Sequence, residues 1–276
     1  MIQLEQVSEL LFRFNYHGQR WYYTLDPVQL YPSVTTILDG TTPMSYALKE
    51  LIGKYGIEGF NNFMREKADY GTLFHIFVSH YFKYNEITDM QMEQYADKFG
   101  RVDFVKNYVA LKKDILSIMK FKEDYDVVPL VNEKPFHYND GKLRFAGTID
   151  LIAEMTINKQ RKTAIIDFKS GKHGFFESHG MQLGFYQILA RANGHNAVDL
   201  INVSPKDWQK EPTYNFKNWK DNKQLDKIQH LIKLFLIDFE EPKEILVFDK
   251  TMEGSSAFSK VNIAEYVSTF SKNYIN

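Results

Sequence analysis

Between Gly147 and Tyr186 the chain gathers two carboxylates, an ammonium group and an amide–phenol pair. Asp150 lies inside the apolar run GTIDLI, and Asp167 ends the run TAIID, with Lys169 two positions later. Gln182 and Tyr186 follow at a spacing that puts them on one face of a helix. Strand side chains alternate, so Asp167 and Lys169 share a face while Phe168 enters the opposite layer. If adjacent strands bring Asp150 beside Asp167, two negative charges meet. Unit charges about 4 Å apart repel by roughly 4 kcal/mol at an effective dielectric near 20. The pair is tolerated when one acid keeps a proton or a cation sits between them. Two carboxylates with water and phosphate oxygens suit Mg²⁺ or Mn²⁺. An ion there would polarise a phosphodiester and acidify water, and Lys169 could orient that water or offset charge on the phosphate.

Each of these residues also has a plainer reading. Three other acid–x–Lys triplets occur, at Asp140/Lys142, Asp221/Lys223 and Glu241/Lys243, each in a turn, a helix start or a proline-containing segment. Only Asp167/Lys169 ends a β-branched run with a second acid on the strand before it; the alternative is a charged strand end facing water. In GTLFHIFVSHYF, Thr72, His75 and Ser79 form a narrow polar line on an otherwise apolar helix. That line implies a polar group opposite, although a lone core histidine bonded to a carbonyl has the same spacing. His80 lies off the line and reads as structural. Gln182 could bond Lys169 or a phosphate and Tyr186 could brace the site, or both could be core edge. Glu133 could be a further acid or a surface glutamate.

The elements that must position these groups follow from periodicity. Residues 11–31 read as a hairpin turning near His17-Gly18. From Pro43 to Lys122 the period is helical, with helices expected near 44–65, 69–84 and 89–121. From Val127 the period falls to two, giving a three-strand meander through VVPLVNEKPFHY, LRFAGTIDLIAEM and TAIIDFKS. A helix is expected over Glu177–Ala192, stopped at Gly194. AVDLINV then reads as a strand beside the third meander strand through a right-handed crossover. After a polar aromatic segment at Tyr214–Trp219 come a helix near 221–239, the strand EILVF and a last helix near 261–273. A mostly helical part before about residue 126 and a catalytic sheet over 127–276 are expected to share one core.

Taken in order, these segments resemble the PD-(D/E)XK nuclease superfamily, in particular its RecB-type exonuclease branch. The matching motifs are Gly71-Thr72-Leu73-Phe74-His75, Gly147-Thr148-Ile149-Asp150-Leu151, Asp167-Phe168-Lys169 and Gln182 to Tyr186, with a lead-in at SVTTIL. The resemblance covers about 32–190 and includes mitochondrial genome maintenance exonucleases and phage and bacterial relatives. It implies an α/β, restriction-endonuclease-like fold, a mixed central sheet flanked by helices with a largely helical N-terminal part. It also implies His75, Asp150, Asp167 and the Phe168 carbonyl as ligands of Mg²⁺ or Mn²⁺, Lys169 as catalytic, and Gln182 and Tyr186 as supporting. Relatives that hold an iron–sulfur cluster use four cysteines; this chain has none.

Composition bounds the rest. The 276 residues carry a formal net charge of −1, so nucleic acid must be met by a local basic groove rather than a global field. The absence of cysteine excludes disulfides, a thiolate nucleophile and cysteine-held metals. No secretory leader is readable, and LIKLFLI is too short to span a bilayer, so a cytoplasmic protein of a bacterium or phage-infected cell is expected. No Walker A loop and no G-x-S-x-G elbow is present. Aromatic residues at 15% could stack on unpaired bases as well as fill the core. Lys112, Lys113, Lys159, Arg161 and Lys172 could follow a phosphate backbone or face solvent. The expected activity is an exonuclease on single-stranded DNA ends in repair, recombination or phage DNA processing, with a helicase, recombinase or single-strand-binding protein as candidate partner. The rival readings are a structure-specific endonuclease and a DNA-binding subunit that does not cut.

Overall fold

A computed structural model describes residues 5–8, 11–25, 28–99, 104–172, 174–219, 223–238, 244–248 and 258–262. In chain order it contains strands β1 (Glu5–Ser8), β2 (Leu11–Tyr16), β3 (Gln19–Leu25) and β4 (Val28–Pro32), then helices α1 (Val34–Thr41), α2 (Tyr46–Tyr84), α3 (Asp89–Phe99) and α4 (Phe104–Asp124). Strands β5 (Val128–Asn139), β6 (Arg144–Ile157) and β7 (Gln160–Phe168) follow. Helix α5 (Glu177–Ala192) leads to β8 (Asp199–Pro205) and β9 (Tyr214–Asn218), and the chain continues through α6 (Lys223–Asp238), β10 (Glu244–Phe248) and β11 (Phe258–Asn262).

The residues fall into two compact units, one drawn from 1–41, 135–147 and 227–276, the other from 42–134 and 148–226. The first contains the antiparallel sheet β1-β2-β3-β4, where Leu11, Tyr22 and Tyr31 are buried with Ala146. The second carries the chemistry. Its sheet runs β5-β6-β7-β8-β9, with β6–β7 and β8–β9 antiparallel and β7–β8 parallel, so it is a mixed sheet in an α/β fold. Parallel pairing of β7 with β8 requires a crossover, and α5 supplies it.

Alternation sorts the sheet's side chains. Leu151, Ala153, Met155, Ala164, Ile166, Phe168, Ile201 and Val203 share one buried cluster with Phe74, Phe77, Leu111, Ile115 and Phe121 from α2 and α4. Phe74 and Phe77 are fully buried, and each contributes about 1.5–3 kcal/mol by leaving water. The other face packs against α5, which contacts both β7 and β8. Strand β8 is buried along its whole length, as a strand covered on both faces must be.

Several boundaries differ from expectation. The expected break near 66–68 is absent, because that stretch holds no breaker; the discontinuity in α2 falls at Gly56, whose φ of 67° interrupts the helix. Ser45 caps the start of α2 through a bond from the Leu48 N–H, and Asn85 closes its end in the left-handed conformation. The expected 89–121 helix is two helices, α3 and α4. Tyr214–Asn218 is a strand. The last helix, expected near 261–273, is corrected at its start: Phe258–Asn262 pairs antiparallel with Glu244–Phe248, and residues 263–273 lie outside the described residues. Among the described residues no helix is long and apolar enough to cross a membrane.

Candidate metal and phosphate site

The β6–β7 ladder ends at Leu151↔Ile166, one step before Asp150 and Asp167 would pair. Where the ladder stops, the Asp150 carboxylate takes over: its Oδ2 accepts the Phe168 backbone N–H at 2.9 Å. The Phe168 ring points the other way, into the core against Phe82 and Phe121. Lys169 extends β7 on the acid side. Its Nζ lies 2.8 Å from Asp167 Oδ2 and 3.2 Å from Oδ1, and it donates to Gln182 Oε1 at 2.8 Å. Gln182 in turn donates to the Tyr186 hydroxyl at 2.8 Å. The helix pair expected to return toward the strand end therefore does so.

His75 enters from α2, with Nδ1 3.5 Å from Asp150 Oδ2. Of the polar line around it, Thr72 donates to the Ala68 carbonyl one turn back, and the Ser79 carbonyl accepts from Asn132. His80 is buried with Nδ1 2.8 Å from the Tyr95 hydroxyl, a core histidine as expected. Gly71 brings α2 close to the loop after Lys169: a Cβ there would meet Ser170 Oγ at 3.3 Å.

Ligand atoms of His75, Glu133 and Asp150 all lie within 4.8 Å of one another, a spacing that can hold a metal ion. One imidazole nitrogen with two carboxylates is a donor set that accepts a hard or borderline divalent cation. Glu133 stands in the middle of β5 with φ 48°, a left-handed conformation at a non-glycine residue, which costs roughly 1–3 kcal/mol. Of the two readings the sequence left open for Glu133, a further acid or a surface glutamate, the structure places it in the cluster; the backbone strain itself has no sequence signal. Asp167 is drawn to the sheet side, where Oδ2 also accepts from Asn202 Nδ2 at 2.6 Å.

Electrostatics fit a cation-binding role. Burial raises Asp150 to about 6, with Lys169 and the Phe168 N–H pulling the other way. Burial likewise raises Asp167 to about 6; Lys169 opposes this and Asp150 adds to it. Two desolvated acids in the field of one ammonium leave negative charge that a divalent ion would neutralise.

Beside Lys169 opens a cavity of about 1090 Å³, bounded by Phe63, Lys67, Tyr70, His75, Lys106 and Phe176, among others. Its wall is held by a network that sequence reasoning missed. Asp114, buried on α4, accepts the Tyr70 hydroxyl at 2.6 Å and pairs with Lys172 at 3.1 Å; Lys172 also meets Asp207 at 2.8 Å. Burial raises the Asp114 carboxyl against these partners and, with Asp114, raises the Tyr70 phenol. The available signal was an acid on the apolar stripe formed by Leu111, Ile115 and Ile118. Of the basic groups singled out, Lys172 lines this cavity. Lys112 pairs with Asp89, Lys113 donates to the Trp208 carbonyl and Arg161 pairs with Asp126, whereas Lys159 is exposed at the β6–β7 turn. His179, on the first turn of α5, accepts the Phe176 N–H through Nδ1; burial, then Lys169 and Lys217, lower it to about 4.

Comparison with known proteins adds three findings. The family model described as the PD-(D/E)XK nuclease superfamily matches residues 41–244, a stretch that contains every residue of the site and reaches well beyond the 32–190 resemblance at its C-terminal end. The match is to the superfamily and assigns no branch. No curated protein matches the chain. Among solved structures, the one described as "Crystal structure of SSO0001" is 19% identical, with a TM-score of 0.29 over 54% of this chain and 71% of that one; so loose a likeness bears on neither chemistry nor partner.

Proposed function

The chain belongs to the PD-(D/E)XK nuclease superfamily, whose members are divalent-metal-dependent nucleases, and from that premise we propose a RecB-type deoxyribonuclease that removes nucleotides from single-stranded DNA ends. The observation that carries the reading is the convergence of His75, Glu133 and Asp150 next to a lysine held between Asp167 and Gln182. A subunit that bound DNA without cutting would have no need of this complete set.

His75, Asp150, Asp167 and the Phe168 carbonyl would hold Mg²⁺ or Mn²⁺, with Glu133 as a further ligand. When bound, the ion supplies Lewis-acid polarisation of the scissile phosphate and a water of lowered pKa. Lys169 places its ammonium where charge builds on the phosphate, and Asp167 and Gln182 fix its position before substrate arrives. Lys169, which can only donate, sets the Gln182 amide with its carbonyl toward the ammonium, and the Tyr186 hydroxyl accepts from the NH₂ group. Phe176, 62% exposed, offers a stacking face at the cavity mouth, and Lys67 and Lys106 offer charge for phosphates. Unpaired bases can reach such faces; bases stacked in a duplex cannot. Such an activity belongs in DNA repair, recombination or phage DNA processing, beside a helicase, recombinase or single-strand-binding protein.

The test uses end-labelled linear single strands, duplexes and single-stranded circles, each with Mg²⁺, Mn²⁺ or EDTA. Metal-dependent ladders from linear strands alone are expected. Cut circles would make the enzyme an endonuclease. Lys169→Ala should abolish cleavage while folding and DNA binding persist; cleavage at the wild-type rate would remove the mechanism.

A further inference from the structure

Behind the site, on the strand side of Asp167, lies an asparagine that neither composition nor motif spacing brings forward. Parallel pairing sets Asp167 opposite Asn202, and both side chains leave the sheet on the α5 face. Asn202 is fully buried between apolar neighbours on β8. A primary amide in that position is costly unless its bonds are made. The bonds are made. Asn202 Nδ2 donates to Asp167 Oδ2 at 2.6 Å and approaches the Asp167 main-chain oxygen at 3.3 Å. At the other end of the amide, Trp219 Nε1–H donates to Asn202 Oδ1 at 2.8 Å.

An indole N–H can only donate, so Trp219 decides which way the amide faces: oxygen toward the indole, NH₂ toward the carboxylate. Trp219 is itself fixed. Its backbone N–H donates to the Leu200 carbonyl, Lys217 Nζ sits 3.4 Å from the centre of its ring, and the ring lies against Gly180 on α5. Helix α5 also carries Gln182, which accepts from Lys169 and donates in turn to Tyr186. One chain of donors thus runs from Trp219 through Asn202 to Asp167, and a second element holds the lysine that completes the acid's environment.

We propose that Asn202, oriented by Trp219, is the positioning residue for Asp167: its bond to Oδ2, the oxygen that also meets Lys169, fixes the rotation of the carboxylate and with it the place of Oδ1. This rests on the proposed function in one respect only, that Asp167 serves the metal-dependent cleavage. The role is one of orientation, exercised through another side chain. Outer bonds of this kind typically tune affinity or activity about 10- to 100-fold.

The experiment measures Mn²⁺ affinity by calorimetry without DNA, together with kcat and KM on single strands, for wild type, Asn202→Leu, Trp219→Phe and the double variant. Trp219→Phe keeps an aromatic side chain beside α5 and removes the donor together with part of the indole's volume. Asn202→Leu is expected to weaken Mn²⁺ binding and lower kcat by about 10- to 100-fold, and Trp219→Phe by about tenfold, with KM for DNA unchanged in both. Because Trp219 acts through Asn202, adding Trp219→Phe to Asn202→Leu should cost nothing more; additive losses would overturn the coupling. Wild-type Mn²⁺ affinity and kcat in either single variant would overturn the proposal, and Trp219→Phe alone decides the matter if Asn202→Leu does not fold. A wild-type protein that neither binds Mn²⁺ nor cuts would instead remove the assigned function, an outcome recognisable before any variant is compared.

Discussion

Replacing Gly180 by alanine sets two known effects against each other. In a helix interior the substitution ordinarily stabilises, by about 1 kcal/mol, through restricted backbone freedom. At Gly180 a Cβ would lie 2.7, 2.7 and 2.9 Å from three carbons of the Trp219 ring, inside any normal contact distance. The ring cannot simply slide aside, since its N–H is bonded to Asn202 and its backbone to Leu200. Overpacking of this sort costs about 1–3 kcal/mol, and a broken bond to a buried amide adds about 1–3 kcal/mol. The net expectation is a loss of roughly 1–5 kcal/mol, with a fall in kcat because Asn202 loses its anchor. Gly53, in exposed helix with nothing within 4 Å of its would-be Cβ, is the control: Gly53→Ala should stabilise by up to about 1 kcal/mol. Urea unfolding of both variants, with turnover on labelled single strands, reads the result. A Gly180→Ala protein as stable and as active as wild type would refute the packing argument.

Other perturbations have equally definite outcomes. Asp150 and Asp167 have folded-state pKa values raised to about 6, so the folded chain retains protons that the unfolded chain has released. Their contribution to stability is complete below about pH 4 and is lost as pH rises through about 6. Metal-free protein should therefore melt lower at pH 7 than at pH 5, and Mn²⁺ should raise the melting temperature at pH 7 far more than at pH 5; pH-independent melting with no metal response would contradict this. Asp114→Ala leaves Lys172 and Tyr70 short of a buried partner, and a denaturation curve should show a loss of roughly 3 kcal/mol. Phe176→Ala should weaken single-strand binding in EDTA about tenfold, the worth of one stacked base, and unchanged affinity would rule out stacking there.

How much of this could be read from the chain alone depends on what defines each residue. The meander and α5 were legible because alternation and turn residues mark them locally: Asn139 to Gly141 turn the first hairpin, and Gly194, with φ 84°, ends the helix. His75, Asp150, Lys169, Gln182 and Tyr186 were legible because their chemical types are restricted at recognisable spacings. The Gly56 discontinuity was not, since glycines at 53, 56 and 59 are equal candidates in sequence and only one adopts positive φ. Nor was the pairing of Phe258–Asn262 with β10, because a ladder needs a partner that composition does not name.

At the site itself the sequence left Glu133 between two readings and did not bring Asn202 forward at all. Glu133 matters because its backbone is forced left-handed inside a strand, a property of the surrounding fold and not of glutamate. Asn202 matters because of what stands opposite it. Once β7 and β8 are known to run parallel with Asp167 beside Asn202, the position is constrained as tightly as any ligand. A carboxylate on one strand, buried and turned toward α5, leaves its neighbour on the next strand with few tolerable identities. An apolar side chain there would withdraw a hydrogen bond from a desolvated charge, and a second acid would add repulsion at a distance where burial magnifies it. A small neutral donor satisfies both conditions. It also needs a partner of its own, and that requirement reaches out to Trp219 and through it to the glycine on α5. Each link follows from the one before only after the register is fixed, which is why motif spacing can find the acids and the lysine yet pass over the residues that aim them.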